Sequence, residues 1–313
     1  MRDVQALLRD YLTMRRALGF KMQKYEETLK EFVSFFKKSN AKYLTTDFAL
    51  KWAQKPTEVN PAWWTERLSM LRGFAAYWKI YDSRAEVPPH KILTTIYKRP
   101  SPHIYSNDEV CKILNTASQF FPERLLFKHT YSTLFAMLWA TGLRVGEARA
   151  LNREDVDLSI GVIKIRETKF TKSRLIPIHA TTRKALQKYA TMRDKVFIKL
   201  STPAFFVSDH TSNGTRLGKH TTQATFRKVL HKGGIRHISS KKGPRIHDMR
   251  HTFTVNTLIK IYKNGTDINR KIYALSVYLG HQSISSTYWY FSAVPELMRL
   301  AMKRVERMDK NEN

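Results

Sequence analysis

The stretch LFAMLWATGLRVGE, residues 134–147, decides how the second half of this chain folds, because it joins an apolar helix to a glycine and a charged helix start. Residues 134–140 are apolar throughout, which predicts a helix buried in a protein core. Gly142 predicts the end of that helix, and Arg144 begins the next one beside Glu147. Taken alone, Arg144 is explained as a helix-start residue that pairs with Glu147.

A β-hairpin follows this stretch. The runs 161–167 (GVIKIRE) and 174–178 (RLIPI) are rich in β-branched residues, and the segment between them (TKFTKS) predicts the turn. Helical patterns dominate elsewhere after Ser106, where Ser106 and Glu109 have the spacing of a capping box. This half therefore predicts a mixed, mostly helical domain with a small antiparallel β-sheet.

The residues before position 86 carry only helical patterns. Asn60-Pro61 predicts the cap and first turn of one helix, and a shorter helix is predicted near residues 45–54. The buried positions predicted from helical spacing are Val4, Leu7, Leu8, Tyr11, Leu12, Tyr25, Leu29, Phe32, Val33, Phe36, Trp64, Leu68, Leu71, Ala75 and Trp78. The exposed faces then carry basic residues, including Arg67 and Arg72. We predict a mainly α fold, with a helical bundle over 1–85, an extended basic linker over 86–104 and a second domain over 105–313.

Charge is the most informative feature of the composition. The chain has 313 residues, with 55 Lys plus Arg against 26 Asp plus Glu, a formal net charge of +29. Such a surplus favours a polyanionic partner, with nucleic acid first and an acidic membrane surface second. The sequence has no apolar run long enough for a membrane span. Its single cysteine, Cys111, excludes an intrachain disulfide framework and predicts a reduced, cytoplasmic compartment.

Two further segments combine basic, histidine and aromatic residues. One is RIHDMRHTF over 245–253, in which His247 and Arg250 share a helical face. The other is LGHQS over 279–283, followed by TYWY over 287–290. Each is a weak signal alone: a histidine after a glycine is commonly structural, and dense aromatics commonly form a core.

Together and in this order, these segments resemble the tyrosine recombinase (phage integrase) family. The resemblance spans roughly residues 105 to 300. It implies that the preceding bundle is a SAM-like core-binding domain that clamps DNA. It also implies six catalytic residues and one acidic supporter, which are Arg144, Lys169, His247, Arg250, His281 and Tyr290, with Glu147 as the supporter.

The family's chemistry is strand exchange through a covalent 3′-phosphotyrosyl intermediate. Two guanidinium groups suit the charge that develops on the phosphate oxygens. We expect Tyr290 to be the nucleophile, His247 to accept its proton, and His281 to hydrogen-bond a phosphate oxygen. Lys169 would protonate the leaving 5′-oxygen. The resemblance implies neither a metal nor a cofactor.

Two of these assignments, the nucleophile and the lysine, each have an alternative residue nearby. Tyr288 lies two positions before Tyr290, and Lys172 lies in the same hairpin turn as Lys169. Arg250 and His281 are 31 residues apart. This long spacer, with the TYWY block, resembles the transposon-borne branch whose recombinase genes occur in sets of three.

The resemblance predicts site-specific recombination in the integration or transposition of a mobile element. The alternatives are a type IB topoisomerase-like enzyme and a catalytically silent DNA-binding accessory protein. The implied partners are double-stranded DNA and further copies of the chain, forming a tetramer on two duplexes, with sister recombinases possible in the complex. We expect the protein in the cytoplasm, associated with the nucleoid. The basic residues expected to bind DNA are Arg67, Arg72, Lys172, Arg174, Lys241, Lys242 and Arg245.

The tail after the nucleophile predicts one more helix, over 295–308. Its apolar positions are Leu297, Leu300, Ala301, Val305 and Met308. Two interpretations stay open. The stripe packs on its own catalytic domain, or it docks into a neighbouring subunit, as the family resemblance implies.

Overall fold

The computed structural model describes residues 3–39, 41–93, 100–120, 125–166, 173–197, 199–237, 243–264 and 267–311. The chain divides into two compact units, residues 1–100 and residues 101–313. Helices dominate both units, and the strands form two small antiparallel sheets. The predicted mainly α fold class is therefore confirmed. Within the described ranges, we find no helix that is both long and apolar enough to cross a membrane.

The described residues of the first unit form four helices, α1 (Val4–Ala17), α2 (Gln23–Lys38), α3 (Thr46–Gln54) and α4 (Pro61–Lys79). Asn60 caps α4 by accepting a hydrogen bond from the Ala62 amide at 2.9 Å, with Pro61 in the first turn, as predicted. The predicted apolar positions form one core, apart from Tyr25, which is exposed, and Trp64, which is half-buried. Burial of these stripes, rather than helix propensity alone, holds the short helices together.

Arg67 corrects one sequence-based prediction. It was expected on an exposed face that binds DNA, but its side chain is only 2% exposed. Its guanidinium donates two hydrogen bonds to the Glu31 carboxylate, at 2.8 and 2.9 Å. The Cζ atom of Arg67 lies 4.0 Å from the centroid of the Trp52 ring. Because α4 packs against both α2 and α3, its buried arc is wider than the apolar stripe, and Arg67 falls inside it.

The second unit carries the remaining nine helices of the described chain. They are α5 (Asn107–Ser118), α6 (Leu125–Thr141), α7 (Val145–Ala150), α8 (Ala180–Val196), α9 (Lys219–Lys232), α10 (Asp248–Asn264), α11 (Ile268–Leu279), α12 (Ser285–Ala293) and α13 (Pro295–Asn311). Helix α6 is the apolar helix predicted from residues 134–140, and it packs against α5, α8 and α10. The predicted capping box of Ser106 and Glu109 opens α5 and is confirmed.

The larger sheet has three antiparallel strands, β1 (Val156–Asp157), β2 (Val162–Ile165) and β3 (Arg174–Pro177). Strands β2 and β3 form the predicted hairpin, with Ile165 paired with Arg174. The turn that carries Lys169 and Lys172 lies outside the described residues. A second sheet joins β4 (Val207–Ser208) to β5 (Thr215–Arg216).

Helices α10 to α13 enclose a separate apolar cluster next to the main core. Val255, Leu258, Ile272, Tyr290 and Leu297 are among its buried members. Three segments that the sequence analysis singled out border this cluster: the start of α10, the end of α11 and helix α12. The fold thereby brings together three segments that span residues 248–293 of the sequence.

Candidate active site

Arg144 is held at the start of α7 by contacts on both sides. Its Nη1 donates to Oε1 of Glu147 at 2.9 Å, and its Nη2 donates to the carbonyl of Gly280 at 3.0 Å. The pairing with Glu147 that the sequence predicted is therefore confirmed. The Arg144 side chain is 39% exposed, so this guanidinium is fixed in direction and still open to a ligand.

Glu147 is the buried centre of this arrangement, because a second arginine also binds it. Arg174 donates to both carboxylate oxygens, at 3.1 and 2.9 Å, and its Nε donates to the carbonyl of Tyr278 at 2.9 Å. Burial alone would raise the pKa of Glu147, but the hydrogen bonds and charges of Arg174 and Arg144 outweigh it and lower that pKa. Glu147 is thus an anion at neutral pH.

Arg174 has a largely internal position. The family resemblance predicts that it binds DNA, whereas its side chain is 12% exposed and all the hydrogen bonds described above point inward. It connects strand β3 to α7 and to the end of α11. Nothing in the sequence separated it from the surface arginines, since burial of a β-strand arginine depends on partners far away in the chain.

Arg250, on α10, is almost completely buried. Its Nη1 donates to the carbonyl of Gly142 at 2.9 Å, and its Nη2 donates to the carbonyl of Leu279 at 2.8 Å. Burial, followed by the neighbouring Arg144 charge, lowers the pKa of Arg250 to about 10, so the group stays protonated at neutral pH. Both arginines thus contact the end of α11, which brings two positive charges to one place.

His281 follows this same segment. Gly280 ends α11 in the left-handed conformation, with φ of +66°. A side chain there would place its Cβ 2.9 Å from Nη1 of Arg174. The turn aims His281 at α12, where its Nδ1 lies 2.8 Å from the hydroxyl of Thr287. The histidine is therefore oriented by a buried threonine and stands beside the two arginines.

His247 lies immediately before α10. Burial, followed by the charge of Arg250, lowers the pKa of His247 to about 4. Its ring is therefore neutral at physiological pH. It meets the ring of His251 edge-on, with 4.8 Å between the ring centroids.

Tyr290 and Tyr288 lie on different faces of α12. Tyr290 is 2% exposed and belongs to the apolar cluster, whereas Tyr288 is 43% exposed. The Tyr290 hydroxyl lies 2.7 Å from Nδ1 of His251. Tyr290 also interacts electrostatically with the Arg250 guanidinium, which acts to raise the pKa of Arg250. Of the two rival tyrosines, Tyr290 is the one that joins the arginines and histidines.

His251 is the residue that the sequence analysis missed. The sequence predicts that His247 accepts the proton of the tyrosine, and the structure places His251 within hydrogen-bond distance of the same hydroxyl. A signal existed: His251 follows His247 by four positions, so both lie on one face of the helix. Its position directly after Arg250 made it look like one more polar residue of the same segment.

The other predicted DNA-binding residues are distributed differently. Arg245 is 54% exposed and donates to Oδ1 of Asp248 at 3.1 Å. Arg72 donates to the carbonyls of Pro88 and Pro89, so it fastens the end of the first unit. Lys169, Lys172, Lys241 and Lys242 lie outside the described residues.

The site and fold define a class of enzyme, and comparison with known proteins agrees. The sequence profile of the phage integrase family matches residues 105–296. The protein y4rB of Sinorhizobium fredii (strain NBRC 101917 / NGR234), provisionally described as an integrase/recombinase, is 38% identical over 311 residues, which are 98% of each chain. Tyrosine recombinase XerC of Thermodesulfovibrio yellowstonii (strain ATCC 51303 / DSM 11347 / YP87) is 27% identical, covering 86% of this chain and 84% of its own.

A solved structure with a similar fold is that of the Tn1549 transposon integrase in complex with transposon right end DNA. Its TM-score is 0.66 at 16% sequence identity, and the match covers 96% of this chain and 99% of that one. The chain belongs to the phage integrase family and is a tyrosine recombinase, an enzyme of site-specific DNA recombination.

Proposed function

We propose that this recombinase exchanges DNA strands in the integration or transposition of a mobile element, with Tyr290 as its nucleophile. The observation that carries the proposal is the convergence of Arg144 and Arg250 on the end of α11, beside the Tyr290 hydroxyl. The relatives support the biological role, since one is described as an integrase/recombinase and a structural neighbour is a transposon integrase bound to its DNA end.

The chemistry starts with binding of the scissile phosphate between the two arginines. Each guanidinium has donors beyond those given to backbone carbonyls, and these can reach the non-bridging oxygens. Because the carbonyls and Glu147 fix the guanidinium groups in advance, little reorganisation is needed as charge builds up. His281 and the neutral ring of His247 are assigned to hydrogen bonding at the same phosphate.

The 5′-oxygen that leaves phosphorus needs a proton. The Tyr290 hydroxyl gives up its proton to a neighbouring base as its oxygen forms the new bond to phosphorus, the bond from phosphorus to the 5′-oxygen breaks, and Lys169 supplies the proton to that 5′-oxygen. The 3′-phosphotyrosyl link conserves the bond energy, so a 5′-hydroxyl from another strand can reverse the step. The proposed reaction uses no metal and no cofactor.

Partners and assembly belong to the proposal too. We assign DNA binding to both units, with Arg72, Arg245, Lys172, Lys241 and Lys242 as contacts and without Arg67 and Arg174. Four copies, or copies together with sister recombinases, would hold two duplexes. Since the substrate is chromosomal or element DNA, we place the enzyme in the cytoplasm at the nucleoid.

A nicked suicide substrate tests the nucleophile. Wild-type protein should form a covalent adduct in the presence of EDTA, and peptide mapping should place it on Tyr290. Tyr290→Phe should bind the same DNA with unchanged affinity and form no adduct, while Tyr288→Phe should still form it. An adduct on Tyr288, or a strict requirement for magnesium in the cleavage step, would refute the assignment.

The same assay tests the leaving-group proton. Lys169→Ala should cleave ordinary DNA slowly and recover on DNA with a 5′-bridging sulfur, because a thiolate leaves without a proton. Recovery in Lys172→Ala instead would transfer the role to the other lysine of the turn. Relaxation of supercoils without strand transfer between two duplexes would favour a topoisomerase.

A further inference from the structure

The mechanism above gives no role to His251, which forms a buried pair with the nucleophile Tyr290. Both side chains are 2% exposed. The 2.7 Å between Nδ1 and the hydroxyl oxygen is a short hydrogen-bond distance for a nitrogen and an oxygen. A phenol with an ordinary pKa of ~10 is a poor nucleophile at neutral pH, so it needs a group that takes its proton.

The surroundings of His251 favour one of its two ring nitrogens as the acceptor. Nε2 lies 4.0 Å from Oδ1 of the buried Asp248. A carboxylate on that side favours a proton on Nε2, which leaves the lone pair of Nδ1 facing the Tyr290 hydroxyl. Tyr290 is then the donor and His251 the acceptor in the hydrogen bond between them.

Packing fixes the ring in this orientation. His251 follows Arg250 on α10, and its ring contacts those of His247, Trp289 and Tyr290 at centroid distances of 4.8, 5.9 and 5.5 Å. Asp248 is itself held, because its carboxylate accepts from the Arg245 amide at 2.7 Å. A nucleophile, a base within hydrogen-bond reach and a third group beside the base form the arrangement typical of an activated nucleophile.

We propose that His251 is the catalytic base for Tyr290 and that Asp248 is its positioning residue. The inference rests on the proposed function of Tyr290. The proton of the Tyr290 hydroxyl moves to Nδ1 of His251 while the phenol oxygen bonds to phosphorus and the 5′-oxygen leaves. In the reverse step, His251 returns that proton to the departing Tyr290. His247, which the sequence analysis chose as the acceptor, keeps its contact with the phosphate.

The first experiment compares two histidine variants in single-turnover cleavage of the suicide substrate. His251→Asn keeps a polar atom near the Nδ1 position but cannot take up a proton, and His247→Asn is the matched control. We expect His251→Asn to bind DNA as the wild type does and to cleave at least ~10²-fold more slowly. Replacing Tyr290 by 3,5-difluorotyrosine, a more acidic phenol, should reduce this deficit at least ~10-fold, because a weaker base then suffices.

The control separates proton transfer from general damage. The deficit of His247→Asn should be the same with tyrosine and with difluorotyrosine. Cleavage by His251→Asn within about threefold of wild type, or a deficit that difluorotyrosine leaves unchanged, would overturn the role of His251 alone. Absence of a Tyr290 adduct in the wild-type reaction would instead overturn the proposed function.

A second measurement needs no histidine variant. Long-range ¹⁵N NMR of histidine-labelled wild-type protein should show His251 protonated on Nε2 and not on Nδ1. The Nδ1 resonance should shift in Tyr290→Phe, which loses the donor. A proton on Nδ1 in the wild type would make His251 the donor to Tyr290 and would refute its role as a base.

Discussion

Glu147 shows how far the candidate site depends on one buried carboxylate. It binds Arg144 and Arg174 together, and Arg174 continues to the carbonyl of Tyr278. Removing one partner of a buried ion pair typically costs ~3–5 kcal/mol, because the remaining charge is left without compensation. The lowered pKa of Glu147 means that its stabilising contribution is present above its ordinary pKa and is lost as the pH falls through the lowered value.

His247 carries a prediction about pH. Its pKa is lowered from 6.5 to about 4 by burial and by Arg250. Below pH 6.5 the unfolded chain takes up a proton that the folded ring refuses. We therefore expect the contribution of His247 to the free energy of unfolding to fall by up to about 3 kcal/mol as the pH drops from about 6.5 to about 4, and that contribution to change no further below pH 4.

Histidine ring NMR checks this prediction directly. The resonance that disappears in His247→Gln identifies the residue, and in wild-type protein it should show a neutral ring at pH 5.5. The unfolding free energy of His247→Gln should depend less on pH over the same interval. Titration of the His247 ring near pH 6.5 would contradict the burial that the structure describes.

The sequence predicted the charged part of the site better than its internal supports. Arg144 and Glu147 are three positions apart at a helix start, so their pairing is local and can be inferred from spacing. The supporting contacts of Arg174 and His251 are long-range, with partners 27 and 39 positions away. The first contact joins β3 to α7 and the second joins α10 to α12, and no local pattern encodes either of them.

Two glycines of the stretch TGLRVGE serve the elements around them differently. Gly142 ends α6 with φ of +63°, and a Cβ there would lie 2.4 Å from Cδ1 of Phe253. Its carbonyl also accepts a hydrogen bond from Arg250. Gly146 lies within α7, has no positive φ, and a Cβ there would meet nothing within 4 Å.

We therefore predict opposite effects of two alanine substitutions. Gly142→Ala should lower the free energy of unfolding by ~2 kcal/mol or more, from left-handed strain and the clash with Phe253. It should also slow cleavage, because the carbonyl that holds Arg250 must move. Gly146→Ala should keep or raise stability by up to ~1 kcal/mol, since alanine favours a helix. Urea unfolding of both variants checks this, and equal effects would contradict the packing at Gly142.

Elements with a long periodic pattern were predictable, and the very short ones were not. Five apolar residues at helical spacing define α1, and all five are buried. Strands β1, β4 and β5 have two residues each, too few to show an alternation. They pair with neighbouring segments of the chain inside the packed core, as Val156 does with Ile163, both of which are buried. The same dependence on packing put Arg67 inside the first unit.

At the scale of the whole molecule, the structure shows that the C-terminal helix packs on its own catalytic domain and leaves one face exposed. Helix α13 packs against α10 and α12 of its own chain, and Leu297 is completely buried in the cluster that contains Tyr290. Removing the helix would therefore disturb the nucleophile directly. Met298 and Met302, four residues apart on one face, are 44% and 57% exposed. Exposed methionines at this spacing favour an adaptable contact with another protein surface.

Substitutions on the outward face of α13 test assembly better than removal of the helix, because they leave the surroundings of Tyr290 in place. We expect the double variant Met298→Gln, Met302→Gln to unfold as the wild type does and to bind a single site with unchanged affinity. It should lose the two-duplex complex, because a contact from each subunit to the next must close into a ring to hold two duplexes. Leu297→Ala is the contrast: loss of a buried leucine should cost ~2–5 kcal/mol of stability and slow cleavage at single sites. Native gels with one and two sites measure assembly, while urea unfolding and single-site cleavage measure the effect of Leu297→Ala. A double variant that still pairs two duplexes would show that Met298 and Met302 do not join subunits.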